Sequence, residues 1–278
     1  MSNRSRPESS PPLPYAKKNM GQHFLRDDKI INGICHDYLA HASAIVEIGS
    51  GPGILTRTLA RHQKPLLCIE KDSRMREYLD NILTPDQLLI DDALLLDLSQ
   101  ILEQKQFPQE NIWLVSNLPY NISVPLLLRF IQIPSITFMT LMIQKEVGER
   151  ILPAILPKKE QHNGMNSLHA LVATWFDIKL KVKVPPGAFV PPPKVDSVVL
   201  SFTKRQNPVL PMNSYPSYEA FLRKMFQHRR KQIQSVLRTH YPTEIIQAAF
   251  TALNLNLQAR AETFNLEKVQ LLYKQLEK

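Results

Sequence analysis

Between residues 45 and 144 short apolar runs alternate with stretches of helical patterning: IVEIG, PLLCIE, DQLLI, NIWLVSN and ITFMTLMIQ. The runs are apolar throughout, as strands covered on both faces are, so the rhythm predicts a parallel sheet flanked by helices. After Trp175 the pattern changes. In DIKLKVKV, Ile178, Leu180, Val182 and Val184 fall on one side and Lys179, Lys181 and Lys183 on the other, the period of a half-exposed strand. A proline-rich turn, PPGAFVPPPK, leads to one more strand, KVDSVVLSF, and predicts an antiparallel end to the sheet. The lysine face either tracks phosphate or is a solvated edge that blunts aggregation.

Residues 204–217, KRQNPVLPMNSYPS, read as a linker, and the chain beyond them reads as helical. In FLRKMFQHRRKQIQSVLR, Leu222, Met225, Phe226, Ile233, Val236 and Leu237 make one apolar stripe, with Arg223, Lys224, Arg229, Arg230, Lys231 and Arg238 displaced from it. The expected organisation is therefore a flexible basic segment over 1–18, an α/β domain over 19–205, and a small all-helical domain over 206–278.

Composition narrows the partners. The 278 residues, 44% hydrophobic, can bury a sizeable core, which excludes a disordered or fibrous chain. A formal net charge of +9 favours a polyanion without separating RNA, DNA and an anionic membrane surface. Residues 221–278 hold ten Lys and Arg against four Asp and Glu, with no acid between 221 and 238. That favours RNA contact by Arg223, Lys224, Arg229, Arg230 and Lys231 over a merely solvated face. Cys35 and Cys68, the only cysteines, sit in apolar stretches and read as buried thiols, leaving nothing for a disulfide framework. The eight histidines show no HxxxH or HxH spacing, so no metal is expected. No apolar run approaches the roughly 18 residues of a membrane span, and the first residues lack the apolar core of a secretory signal. Glu8 and the prolines at 7, 11, 12 and 14 spoil the amphipathic helix of an organelle transit peptide. A cytoplasmic setting is expected.

The chemistry sits at the ends of the predicted strands. EIGSGPG places Gly49, Gly51 and Gly53 in a strand-to-helix turn, where the lack of side chains lets the backbone approach a ligand. The third glycine of GxGxxG is missing, which argues against a dinucleotide and a nicotinamide oxidoreductase. Glu70 ends the next strand, where a carboxylate can accept hydrogen bonds from both hydroxyls of a ribose. Asp91-Asp92-Ala93 ends the third, where a carboxylate either accepts an adenine amine or caps a helix. Asn117-Leu118-Pro119-Tyr120 follows the fourth strand and discriminates. An amino group on a base is a poor nucleophile, because its lone pair is delocalised into the ring. Asn117 Oδ1 and the Leu118 carbonyl can accept the two N6 hydrogens of an adenine and favour a tetrahedral nitrogen, while Tyr120 offers a stacking face.

Taken together, GQHFL (21–25), EIGSGPG (47–53), IEKD (69–72), DDAL (91–94), NLPYNIS (117–123), QKEV (144–147) and AFVPPPKVDS (188–197) closely resemble the small-subunit ribosomal RNA adenine N6,N6-dimethyltransferases of bacterial type. The resemblance covers most of the chain. It implies a Rossmann-like methyltransferase domain with a seven-stranded, mostly parallel sheet and an antiparallel last strand, followed by a small helical domain. It also implies that S-adenosylmethionine is the methyl donor and that two methyl groups pass to each of two adjacent adenosines near the 3′ end of small-subunit RNA. Small-subunit ribosomal RNA and the assembling subunit are then the partners, in ribosome biogenesis, and the protein is expected to act as a monomer with no membrane association.

By the same resemblance His23, Leu25, Gly49, Gly51, Glu70, Asp92 and Asn117 line the cofactor site, and Tyr120 and Phe189 sandwich the target base, although Phe189 also reads as a core aromatic. Two departures stand out. His23 occupies a place where the family usually has asparagine, and a neutral imidazole is expected beside a sulfonium. Asn163 and Met165 stand where a tyrosine and an arginine are usual. The rival from another class is a non-catalytic assembly factor that kept the fold; intact Glu70, Asp92 and NLPY argue against it. The PPPKVDS segment and the basic C-terminal part argue against a DNA adenine methyltransferase.

Overall fold

The computed structural model describes residues 13–17, 20–161, 164–228 and 231–277. Among the described residues nine strands form two sheets. β1 (Phe24–Leu25) and β8 (Phe189–Val190) make a small antiparallel pair. The other seven are β2 (Ala44–Ile48), β3 (Leu66–Glu70), β4 (Leu88–Ile90), β5 (Ile112–Asn117), β6 (Ile136–Gln144), β7 (Phe176–Val184) and β9 (Ser197–Lys204), in the order β4-β3-β2-β5-β6-β9-β7. β2 to β6 run parallel, and β9 is antiparallel to both of its neighbours. Four of the five apolar runs became strands with a neighbour on both sides, β2, β3, β5 and β6, while DQLLI supplies the short edge strand β4. β2 and β3 are buried at every position, and their side chains point alternately into two cores, one on each face.

Three expectations are corrected. The apolar side of β7 does not stay on one face. An extra residue, Lys181, bulges between Leu180 and Val182, so Ile178 and Leu180 pack on one core while Val182 and Val184 pack on the other. Lys181 Nζ is tied to Asp37 Oδ1 (2.6 Å), which holds the bulge. The stripe from Leu222 to Leu237 is two helices, Tyr215–Phe226 and Ile233–Leu237. Gln232 is extended and bridges Arg260, and the Ile233 amide donates to the Ala259 carbonyl (2.9 Å), so the chain is drawn out of helical geometry there. Finally, the stretch read as a linker is packed: β9 includes Lys204, Trp175 Nε1 donates to the Leu210 carbonyl (2.9 Å), and Tyr215 is buried against the Trp175 ring.

The helix Ser167–Trp175 lies between the sheet and the C-terminal helices and is buried nearly all round. One apolar core therefore runs from β2 and β5 through Trp175 to Tyr218, Phe221 and Val269. Both cysteines are buried, as expected, and burial pushes their thiols up from the ordinary range. Among the described residues no helix is long and apolar enough to cross a membrane. Of the expected N-terminal segment, Tyr15 and Lys17 are tied to Arg74 and Asp72; residues 1–12 and 18 lie outside the described part, as do Asn163, Arg229 and Arg230.

Candidate active site

β3 and β4 lie to one side of β2, and β5 and β6 to the other, so successive crossovers leave the strand pair β2/β5 in opposite directions. A cleft opens outside the carboxyl ends of strands at such a switch point. Here it is lined by the glycine turn after β2, the end of β3, residues 91–94, the turn after β5 and the segment 20–25. Gly49, Gly51 and Gly53 have φ of +73°, +54° and +85°, the left-handed region that other residues enter only with strain.

Glu70 stands at one end of the cleft, 7% exposed. The Gly51 amide donates to its Oε2 (2.8 Å) and the Asp72 amide to its Oε1 (2.7 Å), so the carboxylate also fixes the glycine turn. Burial pushes its pKa up from the ordinary value, and the two amides pull the other way. Each oxygen keeps a further lone pair for a ligand hydroxyl. Asp92 is beside it. Lys71 Nζ donates to Asp92 Oδ2 (2.7 Å) and the Leu94 amide to Oδ1 (3.0 Å), so the capping role and a ligand-facing role coexist. The lysine bond holds this carboxyl below its ordinary pKa.

Asn117, the last residue of β5, stands at the other end. Its Nδ2 donates to the His23 carbonyl (3.1 Å). A carbonyl only accepts, so the amide is oriented with Oδ1 left available to a donor in the cleft. Leu118 buries its side chain, and its amide donates to the Met142 carbonyl (3.1 Å), which anchors the turn to β6. Tyr120 is half-buried, with its hydroxyl against Ser197 Oγ (2.7 Å) on β9. Desolvation raises its pKa, so the phenol stays neutral.

Phe189 and Leu25 bury their side chains. Phe189 is 1% exposed in the core, and the His23 ring meets both aromatics, stacked on Tyr120 at 5.5 Å and 25° and edge-on to Phe189 at 6.5 Å. Leu25 pairs through β1 with Phe189. Sequence reasoning missed Ser197 and the clamp around Asp72, which binds Gln22 Nε2 (3.0 Å), Lys17 and Arg74 and thereby fastens the 20–25 rim. Buried Glu47, which accepts from Thr56 Oγ1 (2.6 Å) beneath the glycine turn, was missed as well.

Residues 15–278 match the family described as ribosomal RNA adenine dimethylase. The chain belongs to that family. A relative, ribosomal RNA small subunit methyltransferase A of Staphylococcus aureus, is 32% identical over 273 residues, which are 94% of this chain and 90% of the relative. Two solved structures share the fold. They are a dimethyladenosine transferase from Plasmodium falciparum (TM-score 0.73, 22% identity, 90% of this chain and 96% of that one) and the 23S rRNA methyltransferase ErmE (TM-score 0.68, 24% identity, 92% and 100%).

The family's methyl donor fits the cleft by the chemistry of its walls. The buried carboxylate of Glu70 can accept from a vicinal diol, the apolar Ile69 and Leu94 can flank a flat base, and Gly49 and Gly51 bring no side chain into the cleft. Among the described residues no group of three or more His, Cys, Asp and Glu side chains is placed to hold a metal ion. Away from the cleft, exposed Arg223 pairs with Glu219 (2.7 Å) one turn back, Lys224 sits over the Tyr241 ring (4.9 Å) and near Glu277 (3.4 Å), and Lys231 is exposed. Met165 is buried, and its uncharged side chain makes no ionic contact.

Proposed function

We propose that this protein dimethylates the N6 amino groups of two adjacent adenosines near the 3′ end of small-subunit ribosomal RNA, in the maturing small subunit. The observation that carries the reading is the orientation of Asn117, whose amide is held by the His23 carbonyl so that Oδ1 is left for a substrate N–H. S-adenosylmethionine, when bound, supplies a methyl group already activated by its sulfonium. Glu70 would hold the donor's ribose hydroxyls, and Asp92 its adenine amine. Asn117 Oδ1 and the Leu118 carbonyl would accept the two N6 hydrogens of the target base, which localises the lone pair on that nitrogen. Tyr120, braced by Ser197, supports the base face, where stacking is worth about 1–3 kcal/mol. The proton of the methylated nitrogen leaves to water, so the chain contributes orientation and hydrogen bonding and no strong base. In the helical part over 206–278, exposed Arg223 and Lys231 would meet RNA phosphates, and Arg229 and Arg230 add to that charge in the sequence.

The test is to incubate the purified protein with labelled S-adenosylmethionine and unmethylated small ribosomal subunits, digest the RNA and weigh its nucleosides. N6,N6-dimethyladenosine is expected. Donor binding with no methylated nucleoside, on subunits, partly assembled particles or naked RNA, would instead make the protein an assembly factor.

A further inference from the structure

The resemblance puts His23 on the donor, but the geometry puts its ring elsewhere. Its Nδ1 lies 2.8 Å from the Pro191 carbonyl, which can only accept, so Nδ1 carries the proton and is committed to the proline-rich loop. The ring stacks on Tyr120 and meets the edge of Phe189, and it lies against both aromatics at once. Its main-chain carbonyl orients Asn117. Three attachments thus point to the base end of the cleft, and only Nε2 is left for anything else.

A flat, aromatic, nitrogen-bearing ring on the Tyr120 face is the arrangement an adenine would adopt there. From this we propose that His23 belongs to the target-base site: its imidazole covers Tyr120 while no base is bound, and the entering adenine stacks on Tyr120 in its place. The cover keeps an apolar face from water. Its displacement costs one hydrogen bond and one small stacking contact, and a purine with a larger face replaces both. A base that stacks less well than adenine does not recover that cost, so His23 sharpens the choice of base without touching the methyl group. This rests on the adenine-N6 reading above, and its test can fail separately.

The probe is adenosine, titrated by NMR into protein saturated with S-adenosylhomocysteine, so that the donor's own adenosyl pocket is filled. His23→Ala and His23→Asn remove the ring and should bind adenosine about 3–10-fold tighter than the parent. His23→Phe restores a covering ring and should bind it no tighter than the parent. Affinity for S-adenosylhomocysteine should stay within about twofold in all three. Weaker or unchanged adenosine binding in His23→Ala would overturn the proposal, as would a tenfold loss of S-adenosylhomocysteine affinity, which would return His23 to the donor. Absence of adenosine binding in every variant would remove the base slot and the proposal with it. Methylation of small subunits by the parent protein, measured independently, decides whether the underlying reading stands.

Discussion

The two ends of the cleft are built differently. At the donor end, the glycine turn, Glu70 and Asp92 each close one strand-turn unit, and Glu70 joins two of those units through the amides of Gly51 and Asp72. At the base end, Asn117 depends on His23, 94 residues away, and Tyr120 on Ser197, 77 residues away. The donor end is therefore local and self-supporting, while the base end is an assembly of three distant segments. The difference predicts separable defects. Asn117→Ala removes an acceptor needed at the reacting nitrogen and should lower turnover about 100–1000-fold, in the range found for a lost preorganised hydrogen-bonding group, with donor affinity largely kept. Glu70→Ala should weaken donor binding by about 100-fold, the scale of two hydrogen bonds to a charged group, while RNA binding survives. Titration calorimetry with S-adenosylhomocysteine and single-turnover rates read the two effects. Equal loss of RNA binding in both variants would break the division.

The donor end also carries a pH signature. Glu47 is fully buried under the glycine turn, and burial pushes its pKa up to about 7, against the hydrogen bond from Thr56. The folded form thus holds its proton more tightly than the unfolded chain. The stabilisation this gives is complete below the unfolded value near 4.5 and is lost as pH rises to about 7, after which the loss levels off. Glu47→Gln stays neutral and escapes that loss. Relative to the parent it should gain about 3 kcal/mol in unfolding free energy between pH 4.5 and 8, by urea denaturation. No pH dependence of the difference would mean that the carboxyl ionises in the folded protein as it does in the unfolded chain, as a hydrated group does, and a difference still growing above pH 8 would mean that Glu47 keeps its proton there.

The same contrast explains what was legible in the sequence. Gly49, Gly51, Glu70 and Asp92 follow strands whose apolar runs announce them, so motif and position could be read together. Nothing near Tyr120 announces Ser197, because the pairing exists only after β9 inserts between β6 and β7. Nothing near Lys181 announces the bulge, since its partner Asp37 is 144 residues away. The extended Gln232 is equally non-local, drawn to Arg260 in a stretch whose apolar spacing reads as one helix. Periodicity reports local faces, and it fails where a distant backbone overrides them.

Ser197 makes the assembled end testable at smaller scale. Ser197→Ala leaves the Tyr120 hydroxyl without its buried partner, a loss of about 1 kcal/mol, and should lower kcat/KM about fivefold to tenfold with donor affinity unchanged. Tyr120→Phe removes the other half of the same bond. The double variant should therefore fall short of the sum, since residues in one contact are not additive. Full additivity in the double-mutant cycle would show that the hydroxyl pair does not position the ring.

The smallest effects are expected on the basic helical face, where the comparison extends to charges already engaged and charges free to meet phosphate. Each phosphate that no longer meets a cation flattens the dependence of log K on log salt by about 0.7–0.9. Replacing Arg229, Arg230 and Lys231 with Ala should remove up to three such cations. Arg223→Ala should remove one, because its partner Glu219 is an exposed i,i+4 pair of the kind worth only about 0.3–0.5 kcal/mol and readily exchanged for phosphate. Lys224→Ala should change the slope least, since its ammonium is held at Glu277 and the Tyr241 ring within the protein. Binding of small-subunit RNA measured from low to physiological salt ranks the three. A Lys224 variant as flat as the triple one would mean that the helical part rearranges on RNA, and that its packed charges are as available as its exposed ones.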